Sequence, residues 1–337
     1  MNFALIEKAA EKVSSKWAAE VLAPAIAFWI GGAALLVWKR GLEAPEKWLR
    51  QRPSTEQVFL AVIALIVFLL SAKLIERFGP TIARLLEGDW PTWAVYPRHI
   101  AIERQRRKWD KLRRRLQQLA RKTHDSLSED EWRQLHKIQL TLHSYPSRRA
   151  AIMPTRLGNV LRAAELRPLD KYGLDTAICW PRLWLLIPDA VRSDVGESRA
   201  EMDVAIRSFV WSTFFCVWAF VTPWAFAISA AGVFLTYHDL RHTTETYGTL
   251  LESTFDVHRP LLYRSLGWPL PKNAAHEPAH GAELSNYLWA GSHNAEVAFE
   301  YDNFQEHTKQ PTAPGELSSG SALPVPILRP DCRETGT

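Results

Sequence analysis

The most constraining feature of the chain is an apolar run, residues 58–72, that contains no charged side chain and lies between Glu56 and Lys73. A helix extended to residue 75 is about 27 Å long at 1.5 Å per residue. That length approaches the roughly 30 Å of a bilayer's hydrocarbon core. A helix also satisfies its own backbone hydrogen bonds where no water is present. The run therefore predicts a membrane-spanning helix and an integral membrane protein, with the lipid bilayer as its first partner.

Two further apolar blocks accompany this run. Residues 21–38 form one of them, and residues 208–237 form the other, with Pro223 near its middle. Proline disfavours one straight helix there, so a tight helical hairpin is predicted; one kinked helix and a re-entrant hairpin are the alternatives. About four transmembrane helices are expected in two hairpins, at residues 21–75 (helices 21–38 and 58–75) and 206–238 (helices 208–221 and 224–237).

The polar segment between the hairpins, residues 76–205, is predicted to be a helical cytosolic domain. It carries more Lys and Arg than acids, and basic residues near span ends favour the cytoplasmic side. Both chain ends are then cytoplasmic, and the fold class is all-α. The remaining segments are predicted as an amphipathic N-terminal helix (1–20), a juxtamembrane helix (239–271) and an acidic, largely disordered C-terminal tail (272–337).

The densest charge lies in a predicted basic helix at residues 98–122, where only Glu103 and Asp110 are acidic. Basic clusters next to a membrane attract anionic lipid headgroups, which are the expected partner; a solvated helix face is the alternative. Nucleic acid is not expected, because no nucleic-acid-binding fold is recognisable. The basic patch comprises Arg106, Arg107, Lys108, Lys111, Arg113, Arg114 and Arg115.

A second amphipathic helix is predicted after the basic one. Ser128 and Glu131 have the spacing of a capping box at its start. Apolar residues at helical spacing predict a buried stripe on each of the two helices. The stripes are Leu112, Leu116 and Leu119 on the basic helix, and Leu135, Ile138 and Leu142, with Trp132, on the second.

The stretch after Pro154 starts a further helix, with Thr155 as its predicted cap. Polar residues recur along one side of this helix, and such residues must pair or face water. Three interpretations stay open: an interlocked polar network, a binding site for an anionic ligand or lipid headgroup, and a catalytic pocket. The candidate residues are Arg156, Asn159, Arg162, Glu165, Asp175, Arg182, Asp256 and Arg259.

Three residues near the last apolar block have a spacing that can place metal ligands on one helix face, His238, His242 and Glu245. The glutamate that follows the first histidine in a zinc-protease helix is replaced here by Asp239. Surface histidines at a membrane interface are therefore the preferred interpretation. The three cysteines show no metal-type spacing, and no cofactor is predicted.

Four longer strings resemble an uncharacterised family of bacterial, particularly actinobacterial, multi-pass membrane proteins. They are RLLEGDWP (84–91), PTRLGNVLRAAE (154–165), YGLDTAICWPRLW (172–184) and STFDVHRPLLYRSLGWPLP (253–271), which includes the FDVHRPLLY-type motif. The resemblance covers roughly residues 60–271. It implies a bacterial inner-membrane location and a shared architecture, and it implies no activity.

Motif content favours a non-enzymatic scaffold or a lipid- or partner-binding membrane component. Phosphate-binding, nucleophile-elbow, redox and zinc-protease motifs are missing from the sequence. One alternative is an oligomeric pore or transport-related subunit, although the predicted spans carry no internal ionisable residue of the kind that marks ion pathways. The other alternative is a membrane-bound hydrolase that uses His238/His242/Glu245 or Asp256/His258.

Overall fold

The computed structural model describes residues 3–122, 127–291 and 298–300, and within these residues all regular secondary structure is helical. They belong to a compact unit that ends at Glu300. The side chains of the predicted amphipathic segment 1–20 and the tail beyond residue 300 lie outside the described residues. The helices are α1 (Phe3–Arg40), α2 (Glu43–Arg50), α3 (Ser54–Glu87), α4 (Val95–Ala120), α5 (Glu129–His143), α6 (Arg156–Tyr172), α7 (Thr176–Leu186), α8 (Asp189–Phe214), α9 (Trp224–Ser265) and α10 (Glu277–Ala290), with 3₁₀ turns at Thr92–Ala94, Arg149–Ala151 and Phe215–Phe220.

Three helical segments are long and apolar enough to cross a membrane, and they begin at Val21, Ser54 and Asp189. The face of α3 that points away from the other helices is apolar and exposed. Val58 is 65% exposed and Leu70 is 66% exposed. Such a continuous apolar surface on a folded chain indicates contact with another apolar phase. The prediction of membrane-spanning helices is confirmed to this extent, without the count of four.

The apolar block at residues 208–237 is a helical hairpin and not one kinked helix. The 3₁₀ turn after α8 ends at Phe220, and α9 begins at Trp224. The two arms pack side by side: the Ser229 hydroxyl donates to the Ser212 carbonyl oxygen at 2.8 Å. At this closed end, the Lys39 ammonium donates to the carbonyl oxygen of Val221. The hairpin turn and the link after α1 therefore lie at the same end of the helices.

Helix α9 continues unbroken for 42 residues, through the predicted boundary at residue 238. Its second half packs with α6, α7 and α10, and Phe255 is fully buried there. Helix α10 lies inside the segment predicted as a tail, and its Leu284 is also fully buried. The folded part thus extends beyond residue 272, because an apolar stripe on α10 completes this core.

Helices α4 and α5 pack against each other, and the predicted capping box at the start of α5 is present. Ser128 accepts from the Glu131 backbone N–H at 3.3 Å, and the Glu131 side chain accepts from the Ser128 backbone N–H at 3.3 Å, which completes the capping box. The two predicted stripes form one cluster. Its buried members are Leu119, Leu135 and Ile138, and the partly buried ones include Leu112, Leu116, Trp132 and Leu142.

A close approach of α3 and α6 fixes the start of α6. Thr155 caps α6 by accepting from the Gly158 N–H at 2.9 Å, as predicted, and its hydroxyl donates to the Glu87 carbonyl oxygen at 2.9 Å. A Cβ at Gly158 would lie 1.7 Å from that carbonyl oxygen. Only glycine permits this contact, which places the first turn of α6 against the end of α3.

Candidate functional site

A cavity of about 830 Å³ lies between α4, α5, the start of α6 and α9. Its volume is within the range of small-molecule sites in proteins. The packing described above explains its position, since the α4–α5 pair forms one wall and the capped end of α6 with α9 forms the other. Leu112, Ile138 and Pro154 supply the apolar part of the lining.

Five basic side chains line this cavity, and the lining contains no acidic residue. Lys108, Lys111 and Arg115 project from α4, one or two helical turns apart. Arg156 and Arg241 come from the opposite wall. Positive charge concentrated in a concave surface focuses the electrostatic field and attracts anions.

The nearest carboxylate to the second wall belongs to Glu245. Its Oε1 lies 3.5 Å from Arg156 Nη2 and 3.9 Å from Arg241 Nη2. All three side chains are between 30% and 42% exposed, so solvent screens these pairs and each contributes little to stability. Glu245 therefore offsets part of the charge of this wall without filling the cavity.

Buried Tyr145, just after α5, is held to α4 by a hydrogen bond within the first wall. Its hydroxyl donates to Gln105 Oε1 at 2.8 Å. Burial raises the pKa of this hydroxyl, and the positive charge of Arg156 opposes part of that rise. The hydroxyl consequently stays protonated and serves as a neutral hydrogen-bonding group.

The cavity adjoins the boundary between the apolar and polar parts of the chain. Tyr237, which lines it, is the last residue of the uncharged block, and His238 follows. The ring centroids of Tyr237 and Phe209 are 6.1 Å apart. Phe209 follows Arg207 by two positions, and Arg207 is the last charged residue of α8 before its apolar part. Aromatic rings at such a level are typical of a membrane–water interface.

Part of the predicted basic patch lies elsewhere. Arg106 and Arg107 lie within 4.0 Å of Glu103. Arg113 stacks over the Trp109 ring at 4.8 Å, and Arg114 donates to the backbone of Asp110 at 3.2 Å. These four arginines do not line the cavity, whereas the other three members of the patch do.

Most of the predicted polar stripe serves the fold. Asn159 is fully buried and clamps the loop before α6, accepting from the Met153 N–H at 2.8 Å and donating to two carbonyl oxygens. Arg162 pairs with Glu165 at 3.2 Å. Asp175 caps α7 by accepting from the Ala177 N–H, and Arg182 donates to carbonyl oxygens of Ile178 and Leu288. Arg156 is the stripe residue that reaches the cavity.

Asp256 and Arg259 belong to a separate ion network between α6, α9 and α10. Asp256 accepts from the Tyr172 hydroxyl at 2.7 Å and from Lys171 at 3.1 Å. Arg259 pairs with Glu277 at 2.6 Å. Asp256 thus does not meet Arg156 or Arg162, and His258, two positions along the helix, does not face it.

The network extends along α9 to Glu252, a buried carboxylate. It is bonded to Arg167 and to Lys171, the latter at 2.7 Å. His143 Nε2 lies 3.7 Å from the same carboxylate. Every charge in this network has a partner of opposite sign, which is the arrangement that a buried ionic cluster requires.

The candidate metal ligands do not converge. His238 and His242 are exposed on α9, and Glu245 is engaged with arginines. Among the described residues, no group of three His, Cys, Asp or Glu side chains is placed to hold a metal ion.

No family model matches the sequence, and neither a curated protein nor a solved structure matches it. The geometry of the cavity is therefore the basis for functional inference. Sequence reasoning missed Arg241, Gln105 and Tyr145 as parts of this site. Arg241 had a usable signal, since it is the first basic residue other than histidine after the apolar block.

Proposed function

We propose that the protein is a multi-pass membrane component that binds anionic lipid headgroups in the cavity beside Tyr237. The observation that carries the proposal is the convergence of five basic side chains from α4, α6 and α9 on one concave surface at the apolar boundary. Each basic side chain near an anionic surface contributes about 1 kcal/mol of attraction. The site offers no arrangement of nucleophile and base, so binding is its proposed role.

The proposed topology has four transmembrane helices, 21–38, 58–75, 208–221 and 224–237, with both chain ends in the cytoplasm of a bacterial cell. Its support is the side-by-side packing of α8 and α9 and the position of Lys39 at the hairpin turn. Single cysteines at Gln51 and Pro223, in a chain without native cysteines, test it. A thiol reagent that does not cross membranes is expected to label both cysteines in intact cells. Labelling of both only after the cells are opened would show that the orientation is the opposite one.

The binding proposal is tested on the full chain in detergent by native mass spectrometry with added phosphatidylglycerol and phosphatidylcholine. The variant replaces three cavity residues, Lys108, Lys111 and Arg115, with Gln. A matched control replaces Arg104, Arg107 and Arg114, which lie on the same helix outside the cavity, with Gln. Both variants lose the same charge.

The cavity variant is expected to bind phosphatidylglycerol up to about 100-fold more weakly, since three contacts of about 1 kcal/mol are lost. The control variant is expected to stay within about fivefold of the wild type. Equal losses in both variants would assign lipid binding to general surface charge. Unchanged binding in both would refute the proposal.

A further inference from the structure

The neutral part of the cavity wall consists largely of hydrogen-bonding side chains. Amides and hydroxyls both donate and accept, as the alcohol groups of a sugar or polyol also do. A headgroup with an ammonium group would find no carboxylate in this lining to pair with. The six neutral polar residues are Gln105, Gln134, Thr141, Tyr145, Thr155 and Tyr237.

The charge of the cavity exceeds what a simple phospholipid offers. A phosphodiester headgroup carries one negative charge, against five basic side chains on two walls. A phosphomonoester carries about −1.5 to −2 at neutral pH. Two phosphate groups on one headgroup carry about −3 to −4 in total, which is closer to the charge of the five basic side chains.

Glu245 is placed to compete with a bound anion for two of the basic side chains. It interacts with Arg156 and Arg241, the two cations of the second wall, from outside the cavity lining. An anion that binds this wall competes with Glu245 for the guanidinium groups of Arg156 and Arg241. Part of the binding free energy is then spent on separating these pairs.

We propose that the ligand of this cavity is a polyol or sugar headgroup that carries at least two phosphate groups and displaces Glu245 from Arg156 and Arg241. The inference rests on the proposed lipid-binding function, because it names the headgroup class for the same site. The same chemistry occurs on a lipid and on a free phosphorylated polyol, and the experiment separates the two sources.

The test measures binding to the full chain in detergent with two lipids and three soluble probes. The lipids are phosphatidylinositol bisphosphate and phosphatidylglycerol. The soluble probes are myo-inositol trisphosphate, myo-inositol and inorganic phosphate, measured by titration calorimetry. Trisphosphate is expected to bind at least about tenfold more tightly than inorganic phosphate, because each added charge-assisted contact strengthens binding. Unphosphorylated myo-inositol is expected not to bind.

A second variant tests the role of Glu245. Glu245→Gln is expected to bind trisphosphate about fivefold more tightly, because two solvent-screened ion pairs no longer compete. Glu165→Gln is the matched control: this carboxylate is similarly exposed and pairs with Arg162 away from the cavity. It is expected to leave the affinity unchanged. Equal affinity of wild type and Glu245→Gln would refute the displacement.

The outcomes separate the two proposals. Phosphatidylglycerol binding that equals phosphatidylinositol bisphosphate binding would overturn the headgroup class and leave the lipid-binding function in place. Trisphosphate binding without binding of either lipid would support the headgroup chemistry and overturn the lipid source. Absence of binding by every phosphorylated probe would overturn both.

Discussion

Replacing Gly158 with alanine tests the contact that positions one wall of the cavity. The added Cβ would lie 1.7 Å from the Glu87 carbonyl oxygen, and distances below 3.0 Å do not occur, so α3 and α6 must separate by about 1.3 Å. Overpacking of this kind costs about 1–3 kcal/mol. The hydrogen bond from Thr155 to Glu87 is then lost, which costs about 1 kcal/mol more.

Alanine also favours a helix over glycine by about 1 kcal/mol, which offsets part of this cost. The net expectation for Gly158→Ala is a loss of about 1–3 kcal/mol in the free energy of unfolding. Gly196→Ala is the control, because Gly196 also lies within a helix and a Cβ there meets nothing within 4 Å. This variant is expected to be up to about 1 kcal/mol more stable than the wild type.

The assay is thermal unfolding of both variants in the same detergent, followed by the fluorescence of the 15 tryptophans. Binding of phosphatidylglycerol is measured in parallel, since Arg156 is carried by the displaced end of α6 and the affinity should fall with the stability. Equal stability of Gly158→Ala and Gly196→Ala would refute the close approach of α3 and α6.

Three further predictions concern residues of α10, α7 and α5. Leu284→Ala should lower the free energy of unfolding by about 2–5 kcal/mol, because Leu284 is fully buried. Trp289→Ala, at a site 79% exposed, should change it little, and urea unfolding of both variants measures the difference. Burial raises the pKa of Cys179 to about 11, so in a chain lacking Cys216 and Cys332 a maleimide should label it only after denaturation. Burial and the nearby charge of Arg167 lower the pKa of His143 in the folded state. The unfolded state therefore binds this proton at a higher pH, and stability is lost as the pH falls below about 6.5. In His143→Gln, the melting temperature should depend less on pH between about 7 and 5, and an unchanged dependence would contradict this assignment.

Local patterns in the sequence predicted much of the fold. The apolar runs, the capping box at Ser128 and the stripes on α4 and α5 each depend on residues close together in the chain, and each appears as predicted. The core role of α10 was not predictable in the same way. Its Ser285 bonds to Gly173 and Asp175, more than 100 positions earlier, and the sequence of α10 alone does not show which residues its buried side will meet.

The candidate site shows the same division. The basic side chains on α4 were predicted from charge density, but their meeting with Arg241 depends on how the α4–α5 pair lies against α9. The sequence left three interpretations of the polar stripe on α6 open, because caps, clamps and ion pairs use the same residue types as binding sites. Asn159 and Asp175 show this, since their side chains form hydrogen bonds with backbone groups.

The continuous helix α9 connects the cavity wall to the membrane hairpin and to the buried ion network. One helix carries Ser229 in the membrane hairpin, Arg241 in the cavity wall and Glu252 in the buried ion network. The rise and twist per residue of an α-helix are fixed, so a displacement of one part of a continuous helix also displaces the residues next to it. Arg241 and Glu245 both lie on α9, whereas Arg156 lies on α6, so a ligand that separates Glu245 from Arg156 removes a contact between α6 and the helix that packs against α8. We therefore expect ligand binding to change the protease protection of the α8–α9 turn in the wild type, and a Gly-Gly insertion after Thr246 to abolish this change. No change in the wild type, or the same change in the variant, would show that α9 does not carry the coupling.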